Sequence, residues 1–389
     1  MKLNSSIQSM SLLNRRSFTI AGAAWLTLAF SGSDTRAQTW EGWRSIPDSG
    51  TVWRQLQGQP FLTDSGCSAV HDGTALIGAA RRAGDHTIWL NSTTDWSLNQ
   101  WEGWRSVPGG ATTAYAPSLA VCKDGAGNKF LVVTAVGLHG PTDPGVYANI
   151  YDYRPGHGWA GWVAVPGGAA TNAGPAVVVE DWAPQKLRVF VNGTLSGVYE
   201  NDYNATTKTW WPAWRPLDTA LGQYSNPGFR VNGQVCASLV YYGGEPEVLI
   251  LAPQLSTNQV CYKEDNWYFG WDFWGLLPYR AVTDAASAGP LPGPQPVWDL
   301  TYGGATYLGF AKGIGDHRVY GLKQTGYQEI PGGEITDAGL SSTWFVLSWT
   351  ETPSDWVARS RNVLFAKDQA LRTVRFNYFD ATQTFSKLH

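Results

Sequence analysis

Pairs of tryptophans three residues apart stand beside charged side chains along the chain. Residues 101–110 and 159–168 both read Trp-x-x-Trp-x-x-Val-Pro-Gly-Gly, and a weaker copy begins at residue 40. A sugar ring has an apolar C–H face and a rim of hydroxyls. An exposed indole beside an arginine or a carboxylate would therefore suit both parts of the ring. Four side chains next to these tryptophans could form the hydrogen bonds: Glu41, Arg44, Glu102 and Arg105.

The same tryptophans also have a purely structural interpretation. Large aromatic side chains usually fill a core, and each indole could pack between neighbouring sheets. Residues at i and i+3 of a regular strand point to opposite faces. The spacing therefore predicts one indole of each pair between the sheets and the other on the opposite face.

The tryptophan phrase is one part of an internal repeat. Copies start near residues 40, 101, 159, 211, 271 and 324, so each unit spans about 50 to 60 residues. Units of this size are typical of propeller blades. The sequence predicts an all-β fold: one β-propeller domain over residues 38–389, with six blades of four antiparallel strands, or seven. A three-layer β-helix is the alternative, although its repeats are shorter.

Apolar runs place the strands within the second and third units. The runs are 117–122, 130–136, 146–151, 176–179, 187–191 and 198–203, each bounded by turn residues. The Trp-x-x-Trp segment then supplies the fourth strand of a blade. Because an open row of blades would expose two sheet edges, we expect the ring to be closed.

Several titratable residues could carry chemistry, but no motif joins them. Glycoside hydrolysis needs two carboxylates across the bond that is cut, and in a propeller they would line the central mouth. The sequence pairs none of the candidates, which are Glu180, Asp181, Asp202, Glu264, Asp265 and Asp299. An enzyme is therefore the alternative rather than the prediction, and a protein-binding scaffold is a further alternative.

Two smaller features have ordinary interpretations. Gly-Asp-His recurs at Asp85 and Asp316, and Asp143 aligns with them; a tight turn held by the aspartate is favoured over paired imidazoles. Cys67, Cys122, Cys236 and Cys261 lack metal-site spacing, so buried thiols or a single disulfide are expected. No metal or cofactor is predicted.

The first 37 residues predict an export signal. Arg15 and Arg16 form a twin-arginine pair ahead of an apolar run of about 13 residues, too short to cross a bilayer. We expect cleavage after Ala37 and a periplasmic or secreted protein without a membrane span. Removal changes the formal charge from −3 to about −6, which argues against nucleic acid or an anionic membrane as partner.

The repeat resembles that of the bacterial propeller lectins typified by Photorhabdus, which are similar in blade design to the fungal fucose-binding lectins. The resemblance rests on the tryptophan phrase and on residues 187–193 and 197–201. It implies a multivalent glycan-binding protein for fucose-like or methylated sugars, with sites between blades that are not all equivalent. The predicted contacts are Trp101, Trp104, Arg105, Trp159, Trp162 and Tyr199.

Overall fold

The computed structural model describes most of the chain after residue 39. The described residues are 40–47, 61–137, 143–180, 185–217, 229–242, 245–266, 270–271, 274–276, 282–287, 309–323, 326–351 and 355–386. The chain divides into two compact units, Met1–Ala37 and Gln38–His389. The predicted export signal lies outside the described residues. Within the described part there is no helix long and apolar enough to cross a membrane.

Six antiparallel sheets form the blades of a propeller. Blade 1 contains β2 (Thr63–His71), β3 (Leu76–Arg82), β4 (Ile88–Thr93) and β5 (Arg105–Ser106). Blade 2 contains β6 (Ser118–Lys123), β7 (Lys129–Val136), β8 (Val146–Asp152) and β9 (Trp159–Ala164). Blade 3 contains β10 (Ala176–Glu180), β11 (Lys186–Asn192), β12 (Val198–Asn204), β13 (Thr209–Trp210) and β14 (Arg215–Pro216).

The second half of the ring repeats this design. Blade 4 contains β15 (Cys236–Tyr242), β16 (Glu245–Pro253), β17 (Val260–Asn266), β18 (Gly270–Trp271) and β19 (Gly275–Leu276). Blade 5 contains β20 (Val282–Ser287), β21 (Gly309–Gly313), β22 (Val319–Lys323) and β23 (Gly326–Glu329). Blade 6 contains β24 (Ser341–Glu351), β25 (Asp355–Lys367), β26 (Val374–Ser386) and, from the other end of the chain, β1 (Arg44–Ser45).

The two ends of the domain meet in blade 6. Arg44 pairs with Phe376 and Ser45 with Arg375, so β1 becomes the outermost strand of the last blade. The repeat starts with a fourth strand, and its first copy can pair only with the last three strands of the chain. The prediction of a propeller with six blades is confirmed, and the strands predicted in the second and third units match within one residue at each end.

The core lies between blades rather than inside them. Separate apolar clusters fill the seams between blades 6 and 1, 1 and 2, 2 and 3, 3 and 4, and 5 and 6. The innermost strands contact one another in ring order, β24 with β2, β2 with β6, β6 with β10, and β10 with β15. The sheets of blades 6, 1, 2 and 3 are therefore covered on both faces, which explains apolar runs such as that of β7.

The prediction that the two indoles of a pair face opposite ways is wrong. Trp101 and Trp104 both pack in the seam between blades 6 and 1, and Trp159 and Trp162 both pack in the seam between blades 1 and 2. The glycine before the second tryptophan has a φ of +95° at residue 103 and +93° at residue 161. This left-handed residue turns the chain, so the alternation of a regular strand does not apply.

The second tryptophan packs on the Pro-Gly-Gly turn of the preceding blade. A Cβ added to Gly109 would lie 2.9 Å from Cδ1 of Trp162, and one added to Gly332 would lie 2.7 Å from Cδ1 of Trp43. Both glycines have φ near +100° as well. Glycine is therefore required at this position for two reasons: the left-handed backbone conformation and the close approach of an indole.

A buried asparagine joins each of four blades to the blade before it. Asn149 accepts a hydrogen bond from Gly161 N at 3.0 Å and donates one to the Pro108 carbonyl of blade 1 at 3.3 Å. Equivalent bonds to the preceding blade come from Asn91, Asn201 and Asn377, and all four side chains have no exposed surface. Sequence analysis missed this feature, although the asparagine recurs at a fixed position in the third strand.

The two smaller predictions have clear outcomes. Asp85, Asp143 and Asp316 each accept a hydrogen bond from a backbone N–H in their own turn, which confirms the tight-turn interpretation. All four cysteines are free thiols, three of them buried and Cys236 half-buried. Burial raises the pKa of Cys67 and Cys122 to about 12, so these thiols stay protonated and unreactive at neutral pH.

A buried carboxyl group makes the seam between blades 5 and 6 sensitive to pH. Glu334 and Asp368 both accept from Nη1 of Arg375, at 3.1 and 3.3 Å. Burial, reinforced by Asp368, raises the pKa of Glu334 to about 7. Folding thus favours protonated Glu334, and this contribution is complete below pH 4.5 and is lost as the pH rises through 7.

We expect the wild-type free energy of unfolding to fall between pH 5 and 8 by about 2 kcal/mol more than that of Glu334→Gln. The glutamine imitates the protonated acid and does not titrate. Urea unfolding at several pH values measures the difference. Glu329→Gln is the matched control, because Glu329 is exposed and paired with Arg318. Equal pH slopes for wild type and Glu334→Gln would rule out this role for Glu334.

Candidate functional site

The structure assigns two of the predicted contacts to the core. Trp101 is 5% exposed and Trp104 is 2% exposed. Trp104 stacks on Phe61 with ring centroids 4.0 Å apart, and Trp101 lies 5.9 Å from the ring of Phe376. Neither indole offers a ring face to solvent, so their role as direct sugar contacts is corrected to seam packing.

Arg105 lies in a small polar group at the seam between blades 1 and 2. Its Nη2 donates to Glu102 at 3.0 Å and to Ser92 at 3.2 Å, and Ser92 donates to Glu102 at 2.8 Å. Trp159 is half-buried on the blade 2 side of this seam and packs on Tyr151 at 5.3 Å. Arg105 and Trp159 thus belong to one seam, and their role as sugar contacts stays a prediction.

The two remaining predicted residues lie elsewhere. Trp162 is half-buried against the Gly109 turn in the same seam as Trp159. Tyr199 is half-buried in the next seam, between blades 2 and 3, with its ring over Gly193. The six predicted residues therefore form no single site, and they are distributed over three consecutive seams.

A larger charged network lies between blades 3 and 4. Its centre is Arg188 on β11, whose side chain is 3% exposed. Arg188 Nη1 donates to Glu180 at 2.8 Å and to Asp265 of blade 4, while Nη2 donates to Glu200. The guanidinium also lies over the Trp271 ring, with its carbon 4.8 Å from the centroid. Although burial opposes the charge, these carboxylates raise the pKa of Arg188.

The outer part of this network reaches solvent. Arg215 on β14 donates to Asp202 and lies 3.1 Å from Glu200, and its side chain is 37% exposed. Lys186 approaches Asp202 at 3.0 Å. Trp211 is 51% exposed, and the Arg215 guanidinium lies 5.4 Å from the centroid of its ring. An exposed indole thus adjoins an arginine held by two carboxylates, which is the combination expected of a sugar site.

The repeat pattern puts Trp211 at the first indole position of its unit, and the structure corrects this. Trp210 pairs with Tyr203 as Trp159 pairs with Tyr151, so Trp210 takes the half-buried position in the seam between blades 2 and 3. The extra residue before Trp214 leaves Trp211 on the surface. Arg215 could have been found from sequence, because it follows the second tryptophan as Arg44 and Arg105 do.

A related arrangement lies at the seam between blades 6 and 1. Arg44 donates to Asn99 at 3.0 Å and to the Tyr378 hydroxyl at 3.1 Å. Arg361 lies over the same tyrosine ring at 4.1 Å and donates to the carbonyl of Trp96. Trp96 is 43% exposed. This seam therefore also combines arginine side chains with an exposed indole.

The central channel offers a different environment. A cavity of about 210 Å³ is lined by the innermost strands of blades 1, 2, 3, 4 and 6. Its described lining residues are small, apolar or hydroxyl-bearing, apart from Gln234, and none of them carries a charge. The carboxylates considered for hydrolysis are not found at this mouth in the described structure. Three of them, Glu180, Asp202 and Asp265, meet instead around Arg188, while Asp181 and Asp299 lie outside the described residues.

Comparisons with known proteins support the architecture. No family model matches the chain, and no curated protein matches it in sequence. The α-L-arabinanase of Penicillium chrysogenum complexed with arabinobiose is 14% identical, with a TM-score of 0.51 over 88% of this chain and 98% of that chain. A mutant of AofleA from Arthrobotrys oligospora is 12% identical, with a TM-score of 0.52 over 85% of this chain and 88% of that chain.

Lectins are also among the similar structures. The BP39L lectin from Burkholderia pseudomallei is 13% identical, with a TM-score of 0.49 over 85% of this chain and all of that chain. Fucose-specific lectins from Aleuria aurantia are found as well. The resemblance to bacterial propeller lectins of the Photorhabdus type stays a prediction. At these identities the likeness shows the fold, and function must be argued from the site.

Proposed function

We propose that the protein binds carbohydrate at the seams between blades. The observation that carries the proposal is the exposed Trp211 ring beside Arg215, which Glu200 and Asp202 hold in place. The indole supplies an apolar platform for the C–H face of a sugar. The guanidinium and carboxylates supply directed hydrogen bonds for its hydroxyls.

The charge balance at this seam favours a neutral sugar. Four carboxylates, those of Glu180, Glu200, Asp202 and Asp265, are matched by the three cations Lys186, Arg188 and Arg215. A ligand carboxylate would meet a slight excess of negative charge. Fucose-like or methylated sugars, which carry no charge and more apolar surface, fit this proposal.

The number of sites follows from the position after the second tryptophan. Blades 6, 1 and 3 have Arg44, Arg105 and Arg215 there, while blades 2 and 4 have Val163 and Gly275. We therefore infer up to three unequal sites, of which two have an exposed indole. Several sites on one ring would raise avidity for a ligand that presents repeated sugars.

Trp211→Ala is expected to weaken binding at one seam about tenfold, because the sugar loses its stacking surface. Isothermal titration with a fucoside or methylated monosaccharide selected from a glycan array measures this change, together with the stoichiometry. Trp96→Ala tests the other exposed indole. Leu195→Ala, at an exposed leucine remote from both indoles in sequence, is the control. Failure to bind every glycan on the array would contradict the proposal.

A glycoside hydrolase is the second candidate, because Glu180, Asp202 and Asp265 come together in one seam. Arg188 lies between them and neutralises them, which disfavours their use as acid and nucleophile. Arabinan and other neutral polysaccharides incubated with the protein test this alternative. Release of reducing ends that Asp265→Asn abolishes would support the hydrolase, and its absence would favour binding alone.

A further inference from the structure

Exposed aliphatic side chains recur at one type of turn in four consecutive blades. The turn between the second and third strands carries Leu195 in blade 3, Leu255 in blade 4, Ile314 in blade 5 and Leu371 in blade 6. Their exposed fractions are 77%, 46%, 42% and 59%. Successive blades of a propeller are related by rotation about one axis, so these turns share one face of the ring.

A fifth side chain lies within the same arc. Ile335 is 43% exposed, pairs with Arg318 of the blade 5 turn, and accepts a hydrogen bond from Gln369 N of the blade 6 turn. We name these five residues the aliphatic rim. Singly scattered apolar residues need no explanation, but repetition at equivalent positions of neighbouring blades indicates an interaction surface.

The aspartates on this face are each bound to another side chain. Asp316 accepts from the Tyr320 hydroxyl at 2.7 Å, Asp337 binds Lys367 at 2.5 Å, and Asp368 binds Arg375 at 3.3 Å. Two exposed arginines adjoin the rim: Arg372 follows Leu371, and the carbonyl of Arg230 accepts from Leu255 N. Neither has a carboxylate partner within the described residues.

From this geometry we propose that the aliphatic rim docks on a lipid surface. Its apolar side chains stand on separate turns rather than in a groove, which suits insertion into the boundary between headgroups and acyl chains. Ser196, Ser256 and Thr257 lie in these turns and could face the headgroups. Arg230 and Arg372 would meet lipid phosphates. The acidic balance of the whole chain opposes a purely electrostatic attachment, so the aliphatic residues must supply the affinity.

The lipid would therefore lie opposite the exposed indoles. Trp96 lies in the connection between the third and fourth strands of blade 1, which emerges at the other end of the blade from the rim turns. Trp211 lies between β13 and β14, which both pair with β12, and its N–H donates to Asp202, toward the end of β12 that is away from the Leu195 turn. A protein docked through its rim would present its seams outward. This further inference does not depend on the protein binding sugars.

Vesicle flotation tests the proposal with the full chain and its Leu195→Asp/Leu371→Asp variant. On phosphatidylcholine vesicles with one-third phosphatidylglycerol, we expect the variant to bind at least tenfold more weakly, since both insertion contacts are lost. Pure phosphatidylcholine vesicles should bind the wild type more weakly, because Arg230 and Arg372 then lack anionic partners. Ala126→Asp, at an exposed alanine in the turn between β6 and β7 at the opposite end of blade 2, is the control that should leave binding unchanged.

Residues 1–37 are apolar enough to bind vesicles themselves, so a second measurement separates their effect. An environment-sensitive fluorophore at Ser256→Cys, in a rim turn, should shift to shorter wavelength on vesicles, while the same label at Ala126→Cys, in a turn at the opposite end of blade 2, should not. Equal shifts at both positions would overturn the proposal. So would undiminished flotation of the double aspartate variant, or a wild-type dimer in sedimentation that the variant abolishes.

Discussion

Arg188→Met is expected to lower the free energy of unfolding by about 4 kcal/mol at pH 7. Arg188 is almost fully buried and binds Glu180, Glu200 and Asp265 from two blades. Methionine fills a similar volume but leaves those carboxylates without their central cation. The loss comes from uncompensated buried charge, which costs far more than an exposed ion pair contributes.

The pH dependence of this variant gives the sharper test. Carboxylates buried without a cation bind protons more tightly in the folded chain than in the unfolded chain, so acid should recover part of the lost stability. Urea unfolding of both proteins between pH 7 and 4 measures the difference in their free energies of unfolding. We expect this difference to become smaller as the pH falls. Arg359→Met, at an exposed arginine, is the matched control and should change stability by less than about 0.5 kcal/mol.

A compensated variant separates charge from packing. Adding Glu200→Gln and Asp265→Asn to Arg188→Met removes two of the buried carboxylates that have lost their cation. We expect about half of the lost free energy of unfolding to return. Suppose that the stability difference between wild type and Arg188→Met is the same at every pH and is unchanged by Glu200→Gln and Asp265→Asn. Arg188 would then act through packing alone. In that case the network would no longer explain how Arg215 and Trp211 are held at the seam.

The repeat made the architecture predictable from sequence. Pro-Gly-Gly turns and runs such as Val146–Asp152 determine strands through local chemistry, and their recurrence determines the number of blades. The closure by Arg44–Ser45 was implicit in the same repeat, since its first copy begins with a fourth strand. Local signals of this kind survive any rearrangement of the loops, which is why the predicted strand bounds agree so closely with the structure.

The site was less predictable, because its contacts join residues of different blades. Nothing in the sequence around Trp101 says whether its side chain is buried, because the residues that cover it, Phe376 among them, come from another blade as well as its own. Arg188 lies in a strand, where a basic residue ordinarily indicates a solvent-facing position. In a propeller both faces of a sheet are covered, so this arginine is buried and needs partners from another blade.

Trp211 shows the effect of a single inserted residue. The offset of three to Trp214 matched the repeat and pointed to the wrong tryptophan, since strand pairing assigns the half-buried position in the seam to Trp210. The exposed indole that supports the sugar proposal therefore exists because this unit departs from the pattern. Sequence regularity identified the scaffold, and the deviation from it supplied the candidate site.

Asn149→Ala is expected to destabilise the protein by about 3 kcal/mol, because the asparagine connects two blades through a single side chain. Its loss leaves Gly161 N–H and the Pro108 carbonyl, which form part-buried hydrogen bonds to Asn149, without their partner. Each orphaned buried group costs about 1 to 3 kcal/mol, and the small cavity adds to the cost. Chemical denaturation measures the change against Asn232→Ala, an exposed asparagine whose removal should be nearly neutral.

Asn149→Asp separates the contribution of the amide nitrogen to stability from that of the amide oxygen. The carboxylate still accepts from Gly161 N but places negative charge against the Pro108 carbonyl. Asn149→Asp should therefore be less stable than wild type at pH 7. Its stability should recover at pH 4, where the protonated acid can donate to that carbonyl. An aspartate as stable as wild type at neutral pH would mean that the bond to Pro108 contributes nothing. The seam between blades 1 and 2 would then depend on apolar packing alone.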